Sequence, residues 1–381
     1  MDEFKAIRPY QDDEIRPVVD SLLTNQEFIH SVTRFYFPRL SRYFLPILAT
    51  LTRRRLSSQV TRVRDVATMQ DVIAIYMDKM IHDTSTGLTH SGLDGLDPDA
   101  AHLFISNHRD IAMDPAFVNY VLYHEGLETV QIAIGDNLLK KPFVTDLMRL
   151  NKSFIVHRSL KGREMLKSLD LLSRYIHYCI ENRHNVWIAQ REGRAKDGID
   201  ETDPALIKML ALGKRKIALG DSIASLNLVP VAISYEFDAC DALKAEELYL
   251  KETTGKFEKT DESDINSIVT GIVGSKGHVH VAFGEQLRVA TDDPDELAAT
   301  IDASILANYR LHDTNFIALQ LLQERKLLPV PTLEKEAHER QVNPAVRKKF
   351  LERLESLDPR LHKYFLAMYA NPVIRRYQAR G

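Results

Sequence analysis

Residues 102–117 read HLFISNHRDIAMDPAF, and this stretch joins an apolar run, a polar turn and the start of a helix. The run HLFIS predicts a buried strand, and NHRDIAMD predicts the turn that follows it. Asp114 precedes Pro115, which is the pattern of a helix N-cap followed by proline at the first helical position. A strand that passes through a polar turn into a helix indicates an α/β sheet.

Short apolar runs of the same kind recur along the chain: VQIAIG (130–135), SFIVH (153–157), NVWIAQ (185–190), LVPVAISYE (228–236) and HVHVAFGE (278–285). Segments with helical spacing separate several of them. The polar, glycine-containing stretch 82–100 predicts a loop. We predict an α/β fold, a mixed, partly parallel sheet covered by helices, with a helical region over 1–82, an α/β domain over 83–290 and a helical region over 291–381.

The composition is that of a soluble globular protein: 381 residues, 44% hydrophobic, 27% charged, net charge −3. This charge predicts no nucleic-acid partner. The two cysteines, Cys179 and Cys240, form no disulfide framework or metal-ligand spacing, and the opening MDEFKAIRPYQDDE has no signal-peptide pattern, which favours the cytoplasm. No apolar run reaches the roughly 18 residues of a membrane-spanning helix.

An arginine-rich segment lies between Glu27 and Asp65. It contains no acidic residue. Its eight arginines alternate with aromatic and aliphatic side chains; they are Arg34, Arg39, Arg42, Arg53, Arg54, Arg55, Arg62 and Arg64. Such a mixture is typical of a segment in a lipid headgroup interface, so we predict peripheral association with the inner face of the membrane. The alternative is a helical face packed on the body of the protein.

His108 follows the first predicted strand, and two acidic residues, Asp110 and Asp114, follow it closely. A histidine that gives one ring N–H to a carboxylate can act as a general base through its other nitrogen. The alternative is a histidine that only hydrogen-bonds within its loop. HRD is also found in the protein-kinase catalytic loop, but the required Asn would fall on Pro115. No comparable ligand set accompanies His108, so no metal is predicted.

Basic side chains follow two further predicted strands. After VQIAIG come Lys140, Lys141, Arg149, Lys152 and Arg158; after NVWIAQ come Arg191, Arg194 and Lys196, beside Glu192, Gly193 and Gly198. Ligand sites in open α/β sheets lie at the carboxyl ends of strands, and arginine matches the geometry of a phosphate. These loops therefore predict an anion site, with solvated basic loops as the alternative.

These blocks, in this order, resemble the glycerolipid acyltransferase superfamily over roughly residues 100–290. NHRDIAMD is similar to its Asn-His-x4-Asp motif, GDNLLKKPFVTDLMRLNKSFIVHR to its second block, EGRAKDG to its Glu-Gly-x-Arg loop and LVPVAISYE to its Val-Pro-Val strand; GHVHVAFGE is similar to its closing strand. There are two departures. Asp114 lies one position beyond the family's aspartate, and Glu192 is one position away from its glutamate.

The resemblance implies transfer of an acyl group from a thioester, acyl-CoA or acyl carrier protein, to a hydroxyl, without a metal or other cofactor. His108 would be the base and Asp114 its orienting carboxylate, with Asp110 as the alternative or as a contact to a backbone donor or substrate hydroxyl. Arg158, Arg194 and Lys196 would bind the acceptor's phosphate. Asn107, Glu192 and Gly193 are further candidates for substrate contact.

The implied acceptor is glycerol-3-phosphate or lysophosphatidate, in phospholipid biosynthesis. Another lysolipid or an amino-acid lipid stays open as the acceptor. The altered first motif also allows a catalytically silent relative that binds lipid or tethers to a membrane. A thioesterase-like hydrolase is a third possibility, and it predicts thioester loss without any acceptor.

Overall fold

The computed structural model describes residues 2–257, 260–331 and 340–379. These residues form two compact units. The smaller unit contains the described residues through Lys79 together with Gln131–Tyr175, and the larger contains Met80–Val130 together with the described residues from Ile176 onward. The three regions predicted from the sequence do not coincide with these units, and they stay a prediction about domains.

The smaller unit is mainly helical. Its elements are α1 (Asp12–Thr24), α2 (Gln26–Tyr36), α3 (Ser41–Gln59), most of α4 (Val66–Thr84), β3 (Gln131–Gly135), α6 (Pro142–Leu150), β4 (Ser153–Val156) and most of α7 (Gly162–Glu181). Helices therefore occupy most of the region 1–82 that was predicted to be helical. Strands β3 and β4 pair in parallel. Apolar side chains of α1, α2 and α6 form the core, including Ile15, Val19, Ile29 and Phe143.

Five strands form a mixed sheet in the larger unit, in the order β1-β7-β6-β2-β5. They are β1 (Ser85–Ser91), β2 (Leu103–Ser106), β5 (Val186–Ala189), β6 (Leu228–Tyr235) and β7 (Gly277–Phe283). Only the β6–β7 pair is antiparallel among the pairs of this sheet that the described residues form. The predicted class, a mixed and mostly parallel sheet with helical additions, is confirmed.

The loop predicted over 82–100 is wrong in part, because β1 runs through it and pairs in parallel with β7. The sequence of this strand, STGLTHS, lacks a hydrophobic alternation. An edge strand with exposed side chains does not need one, since only one of its sides is paired and little of it enters the core. Backbone pairing, and not side-chain burial, therefore determines this strand.

Nine helices complete the described part of the larger unit: α5 (Met113–His124), α8 (Pro204–Ala211), α9 (Leu219–Ala224), α10 (Asp241–Thr254), α11 (Asp261–Val273), α12 (Pro294–Asn308), α13 (Asp313–Arg325), α14 (Pro344–Glu355) and α15 (His362–Gln378). The last three share a core in which Phe350 packs against Phe365 and Tyr369. Within residues 2–257, 260–331 and 340–379, no helix is long and apolar enough to cross a membrane.

Candidate active site

His108 and Asp114 are in direct contact at the carboxyl end of β2. The Nδ1 atom of His108 lies 2.8 Å from Oδ2 of Asp114, whose side chain is fully buried. The His108 side chain is 14% exposed, and its Nε2 atom makes no hydrogen bond to a described residue. Trp187 of β5 borders the imidazole edge-to-face, with the ring centroids 5.9 Å apart. The imidazole is thus held on one side and accessible on the other.

The carboxylate of Asp114 accepts three further hydrogen bonds. The backbone N–H groups of Arg109 and Asp110 donate to Oδ2 at 2.6 and 2.9 Å, and the hydroxyl of Tyr235 donates to Oδ1 at 2.7 Å. These hydrogen bonds replace the hydration that a buried carboxylate loses. Sequence reasoning missed Tyr235, although a tyrosine at the end of a fully buried strand was a signal that its hydroxyl needs a partner.

Asp114 is not the helix N-cap that the sequence predicted. Helix α5 begins at Met113, so Asp114 lies in its first turn and its carboxylate reaches back to the preceding loop. Ala112 is the N-cap, and Oδ1 of Asp110 accepts from the backbone N–H groups of Ala112 and Met113 at 3.0 and 2.9 Å. Burial and the charge of Asp114 raise the pKa of Asp110. The contact of Asp110 with backbone donors, one of its two expected alternatives, is present.

Asn107 does not have the geometry expected of a substrate contact. Its side chain is fully buried, and its amide pairs with both backbone groups of Ile233 in β6: Oδ1 accepts at 2.8 Å and Nδ2 donates at 2.9 Å. This side chain therefore joins the turn after β2 to the neighbouring strand β6. We revise its predicted role from binding substrate to holding the turn.

Two buried ion pairs, which the sequence did not predict, hold the same turn. Arg109 pairs with Asp200 at 2.6 Å, and its carbonyl oxygen accepts from the ammonium of Lys244 at 2.7 Å. Lys244 is 1% exposed and is also paired with Asp238. Each opposite charge offsets part of the cost of burying its partner, although Nε of Arg109 and Oδ1 of Asp200 have no hydrogen-bond partner among the described residues. Arg109, the arginine of the HRD triplet, therefore helps to hold this turn in place.

The loop after β5 is attached to the His108 turn by its backbone. Ala195 donates its N–H to the carbonyl oxygen of His108 at 2.8 Å. Gly193 lies at φ +78°, a conformation that L side chains rarely adopt, and Glu192 is exposed. Arg194 donates to Ser267 Oγ at 3.3 Å through one nitrogen, and its other terminal nitrogen is buried with no partner among the described residues. Arg194 thus retains an unused donor.

Lys196 is engaged by a carboxylate. Its ammonium lies 3.1 Å from Oε1 of Glu247, which is 6% exposed and also pairs with Lys251 at 2.8 Å. Hydrogen bonds and charge from both lysines hold the pKa of Glu247 below its ordinary value despite its burial, which acts in the opposite direction. The predicted phosphate contact of Lys196 is therefore weakened, because its charge is already compensated.

Arg158 belongs to the smaller unit. Its guanidinium packs over Gly135, where an added Cβ would lie 2.9 Å from Cζ, and its backbone N–H donates to Asp136 at 3.1 Å. Two other basic residues of this block have structural partners: Arg149 donates to carbonyl oxygens of Arg8 and Lys5, and Lys141 pairs with Glu27. The phosphate contact of Arg158 stays a prediction from the sequence.

The comparisons with known proteins agree on one family. Residues 87–233 match the family model described as Acyltransferase. Proteins named glycerol-3-phosphate acyltransferase are similar: that of Baumannia cicadellinicola is 29% identical over 50% of this chain and 22% of its own length, and that of Alteromonas mediterranea is 29% identical over 49% and 21%. The chain thus matches about a fifth of these relatives' length.

Among solved structures, the 1-acyl-sn-glycerophosphate acyltransferase PlsC of Thermotoga maritima is 11% identical, with a TM-score of 0.37 over 75% of this chain and 98% of the other. This TM-score is too low to show that the two proteins share a fold. Over residues 87–233 the chain is similar to the acyltransferase family, and its named relatives are glycerol-3-phosphate acyltransferases. The resemblance inferred from the sequence blocks is confirmed at this level.

No group of three or more His, Cys, Asp or Glu side chains that could hold a metal ion is found within residues 2–257, 260–331 and 340–379.

Proposed function

We propose that the chain is an O-acyltransferase that transfers a fatty acyl group from a thioester, acyl-CoA or acyl carrier protein, to a hydroxyl of glycerol-3-phosphate or lysophosphatidate. The observation that carries the proposal is the 2.8 Å contact between His108 Nδ1 and Asp114, with Nε2 left without a partner among the described residues. The names of the similar proteins support the glycerol phosphate acceptor. The pathway would be phospholipid biosynthesis.

The chemistry follows from this geometry. Nε2 of His108 takes the proton of the acceptor hydroxyl as its oxygen attacks the thioester carbonyl. The tetrahedral intermediate then expels the thiolate, which receives the proton from the imidazolium. Asp114 fixes the tautomer with hydrogen on Nδ1 and stabilises the imidazolium by its charge. Such base catalysis contributes about 10² to 10⁴ in rate, and no covalent acyl-enzyme is required.

Arg194 is the proposed contact to the acceptor's phosphate. The buried, unpartnered nitrogen of Arg194 supports this role, since a buried guanidinium donor gains from an anion. Binding the phosphate away from the reacting hydroxyl would position the hydroxyl. Glu192 and Gly193 would shape this loop, and Lys196 would hold it through Glu247.

An intact His108–Asp114 contact favours an active enzyme over a silent relative. The extra residue in the first motif lies in a turn that still brings the two side chains to 2.8 Å. A turn can accommodate one inserted residue by a local change of backbone, whereas an insertion in a strand would move its side chains to the opposite face of the sheet. Acceptors such as other lysolipids or amino-acid lipids use the same chemistry and would be distinguished by product analysis.

The experiment is to measure thiol release from acyl-CoA and from acyl carrier protein, with glycerol-3-phosphate, lysophosphatidate or no acceptor, and to identify the products by mass. We expect acceptor-dependent transfer, and a loss of about 10² to 10⁴ in His108→Asn. His184→Asn, at an exposed histidine, is the control and should retain activity. Release that does not depend on acceptor would favour a hydrolase, and no turnover with any donor would favour the silent relative.

The surface of α2 and α3 is the proposed contact with the inner face of the cytoplasmic membrane. Large apolar side chains are exposed there, among them Tyr43 at 81% and Ile47 at 64%. The eight arginines of this segment are exposed, and none forms an ion pair with a described residue. Exposed apolar groups flanked by unpaired positive charge fit an anionic lipid surface. The alternative of a packed helical face is not supported at these positions.

Vesicle binding tests this surface. Deletion of the segment would remove core residues such as Phe28 and Ile29, so point variants are preferable. We expect the double variant Tyr43→Ser, Ile47→Ser to bind phosphatidylglycerol vesicles at least about tenfold more weakly. The control Ile217→Ser, at another exposed apolar position, should bind as the wild type does. Equal binding of the double variant at low salt would exclude this surface.

A further inference from the structure

We propose that Tyr235 is a positioning residue that tunes His108 as a base through the carboxylate of Asp114. The inference rests on the proposed function, in which His108 takes the acceptor's proton. Asp114 joins the two side chains: its Oδ1 accepts from the Tyr235 hydroxyl at 2.7 Å and its Oδ2 lies 2.8 Å from His108 Nδ1. Tyr235 needs no contact with the substrate to act in this way.

Tyr235 is rigidly placed for this contact. It is the last residue of β6 and is 6% exposed. Its ring packs edge-to-face on Phe117, with centroids 5.9 Å apart, and Phe117 lies one helical turn after Asp114 on α5. The strand thus holds the hydroxyl and the helix holds the carboxylate. Burial and the charge of Asp114 raise the pKa of Tyr235 well above its ordinary value, so the hydroxyl stays a donor.

The number of donors on Asp114 determines how strongly its charge acts on His108. Two backbone N–H groups and the imidazole donate to Oδ2, whereas Tyr235 alone donates to Oδ1 among the described residues. Each donor draws electron density from the carboxylate and lowers its basicity. Loss of the tyrosine donor therefore leaves more negative charge facing the imidazole. The imidazolium is then better stabilised, and His108 becomes a stronger base that titrates at higher pH.

Other ionisable groups lie around His108, Asp114 and Tyr235, on the elements that pack against them. Asp110 comes from the same turn, Tyr309 follows α12, Asp238 and Lys244 lie on the chain after β6, and Lys276 precedes β7. The ion pair of Arg109 with Asp200 lies beside the turn. Replacing Tyr235 by Phe changes none of these charges, so a change in the titration of His108 reports the lost hydrogen bond.

The decisive experiment compares Tyr235→Phe with a matched control, Tyr369→Phe. Tyr369 is also buried, at 3%, and also donates to a buried carboxylate, Asp241, at 2.7 Å. The titration of His108 is followed by NMR of the imidazole carbons in full-length protein, with the signal assigned by its absence from His108→Asn. We expect the midpoint to move to higher pH by roughly half a pH unit in Tyr235→Phe only.

A midpoint that stays unchanged in folded Tyr235→Phe, or that moves equally in both variants, would overturn the proposal. A second variant tests the proposal if Tyr235→Phe does not fold. Incorporating 3-fluorotyrosine at position 235 keeps the shape but makes the phenol a stronger donor, so the midpoint should move to lower pH. A shift in the same direction as that of Tyr235→Phe would contradict the mechanism.

Activity gives an independent measurement. We expect Tyr235→Phe to leave the KM for the acceptor unchanged and to move the acid limb of kcat/KM to higher pH, because the base is protonated over a wider acid range. A change in KM alone would speak against the role. If wild-type protein transfers no acyl group, the proposed function fails, whereas the NMR titration still decides whether Tyr235 acts on His108.

Discussion

Ala195 donates its backbone N–H to the carbonyl oxygen of His108, with an N···O distance of 2.8 Å. This hydrogen bond joins the glycine-arginine loop after β5 to the turn that holds the candidate base, beside the contacts of Arg109 with Gly198 and Asp200. Arg194 is the residue immediately before the donor, so the backbone that carries the proposed phosphate contact is attached to the backbone that carries the imidazole. Changes in this loop are therefore expected to alter acceptor binding.

Gly193→Ala tests this attachment. Gly193 lies at φ +78° with nothing within 4 Å of an added Cβ, so the substitution strains only the backbone. We expect a loss of about 1–2 kcal/mol in the free energy of unfolding and a several-fold higher KM for the acceptor, because the loop rotates away from its position. Urea unfolding and steady-state kinetics would measure both.

Gly126→Ala is the matched control for that variant. Gly126 lies at φ +73°, again with open space around an added Cβ, after α5. It should lose similar stability without a change in KM. Equal KM values for the two variants would mean that the loop conformation does not position Arg194.

Asp114→Asn and Asp110→Asn should separate the two aspartates of the first motif. We expect Asp114→Asn to lower kcat by about 10² to 10⁴, because a neutral amide no longer fixes the imidazole tautomer or stabilises the imidazolium. Asp110→Asn should keep most activity, since an amide oxygen can still accept from Ala112 and Met113. Kinetics on both folded variants would measure this, and a larger loss in Asp110→Asn would reverse the assignment.

The sequence predicted the strands, the order of the blocks and the His108 turn, because apolar runs, turn residues and motif spacing are local properties. It favoured Asp114 over Asp110 as the partner of His108 only through the family resemblance, since the effect of a one-residue difference in spacing is decided by the turn itself. The ion pair of Lys196 with Glu247 also could not be predicted from the sequence, because only folding brings the two residues together. Strand β1 was missed for a related reason: its pairing partner is β7, at the far end of the domain.

Arg194→Lys and Lys196→Gln should have different effects. Arg194→Lys removes the forked donors and should raise the KM for the acceptor roughly tenfold, with little change in stability. Lys196→Gln leaves Glu247 with Lys251 as its other basic partner and should lower the free energy of unfolding by about 1–3 kcal/mol, with a smaller effect on KM. Urea unfolding and acceptor titrations would measure both. A larger rise in KM for Lys196→Gln would return this lysine to the phosphate site.

Two histidines, His280 in β7 and His312 just before α13, predict that the protein loses stability in acid. Burial lowers the pKa of His280 to about 4 and that of His312 to about 3, while an unfolded histidine titrates near 6.5. The unfolded chain therefore binds more protons below about pH 6.5, and the free energy of unfolding should fall as the pH drops from there toward 4. Each histidine should contribute about 1–2 kcal/mol of this fall between pH 7 and pH 5.

His280→Gln and His312→Asn test the origin of that acid loss. His312 is the N-cap of α13, and Asn is a preferred residue at that position. Each variant should show a smaller difference in urea-unfolding free energy between pH 7 and pH 5 than wild type, because a group that titrates only in the unfolded chain has been removed. His184→Gln, at an exposed position, should keep the wild-type difference. If all three variants kept it, carboxylates and not these imidazoles would cause the acid sensitivity.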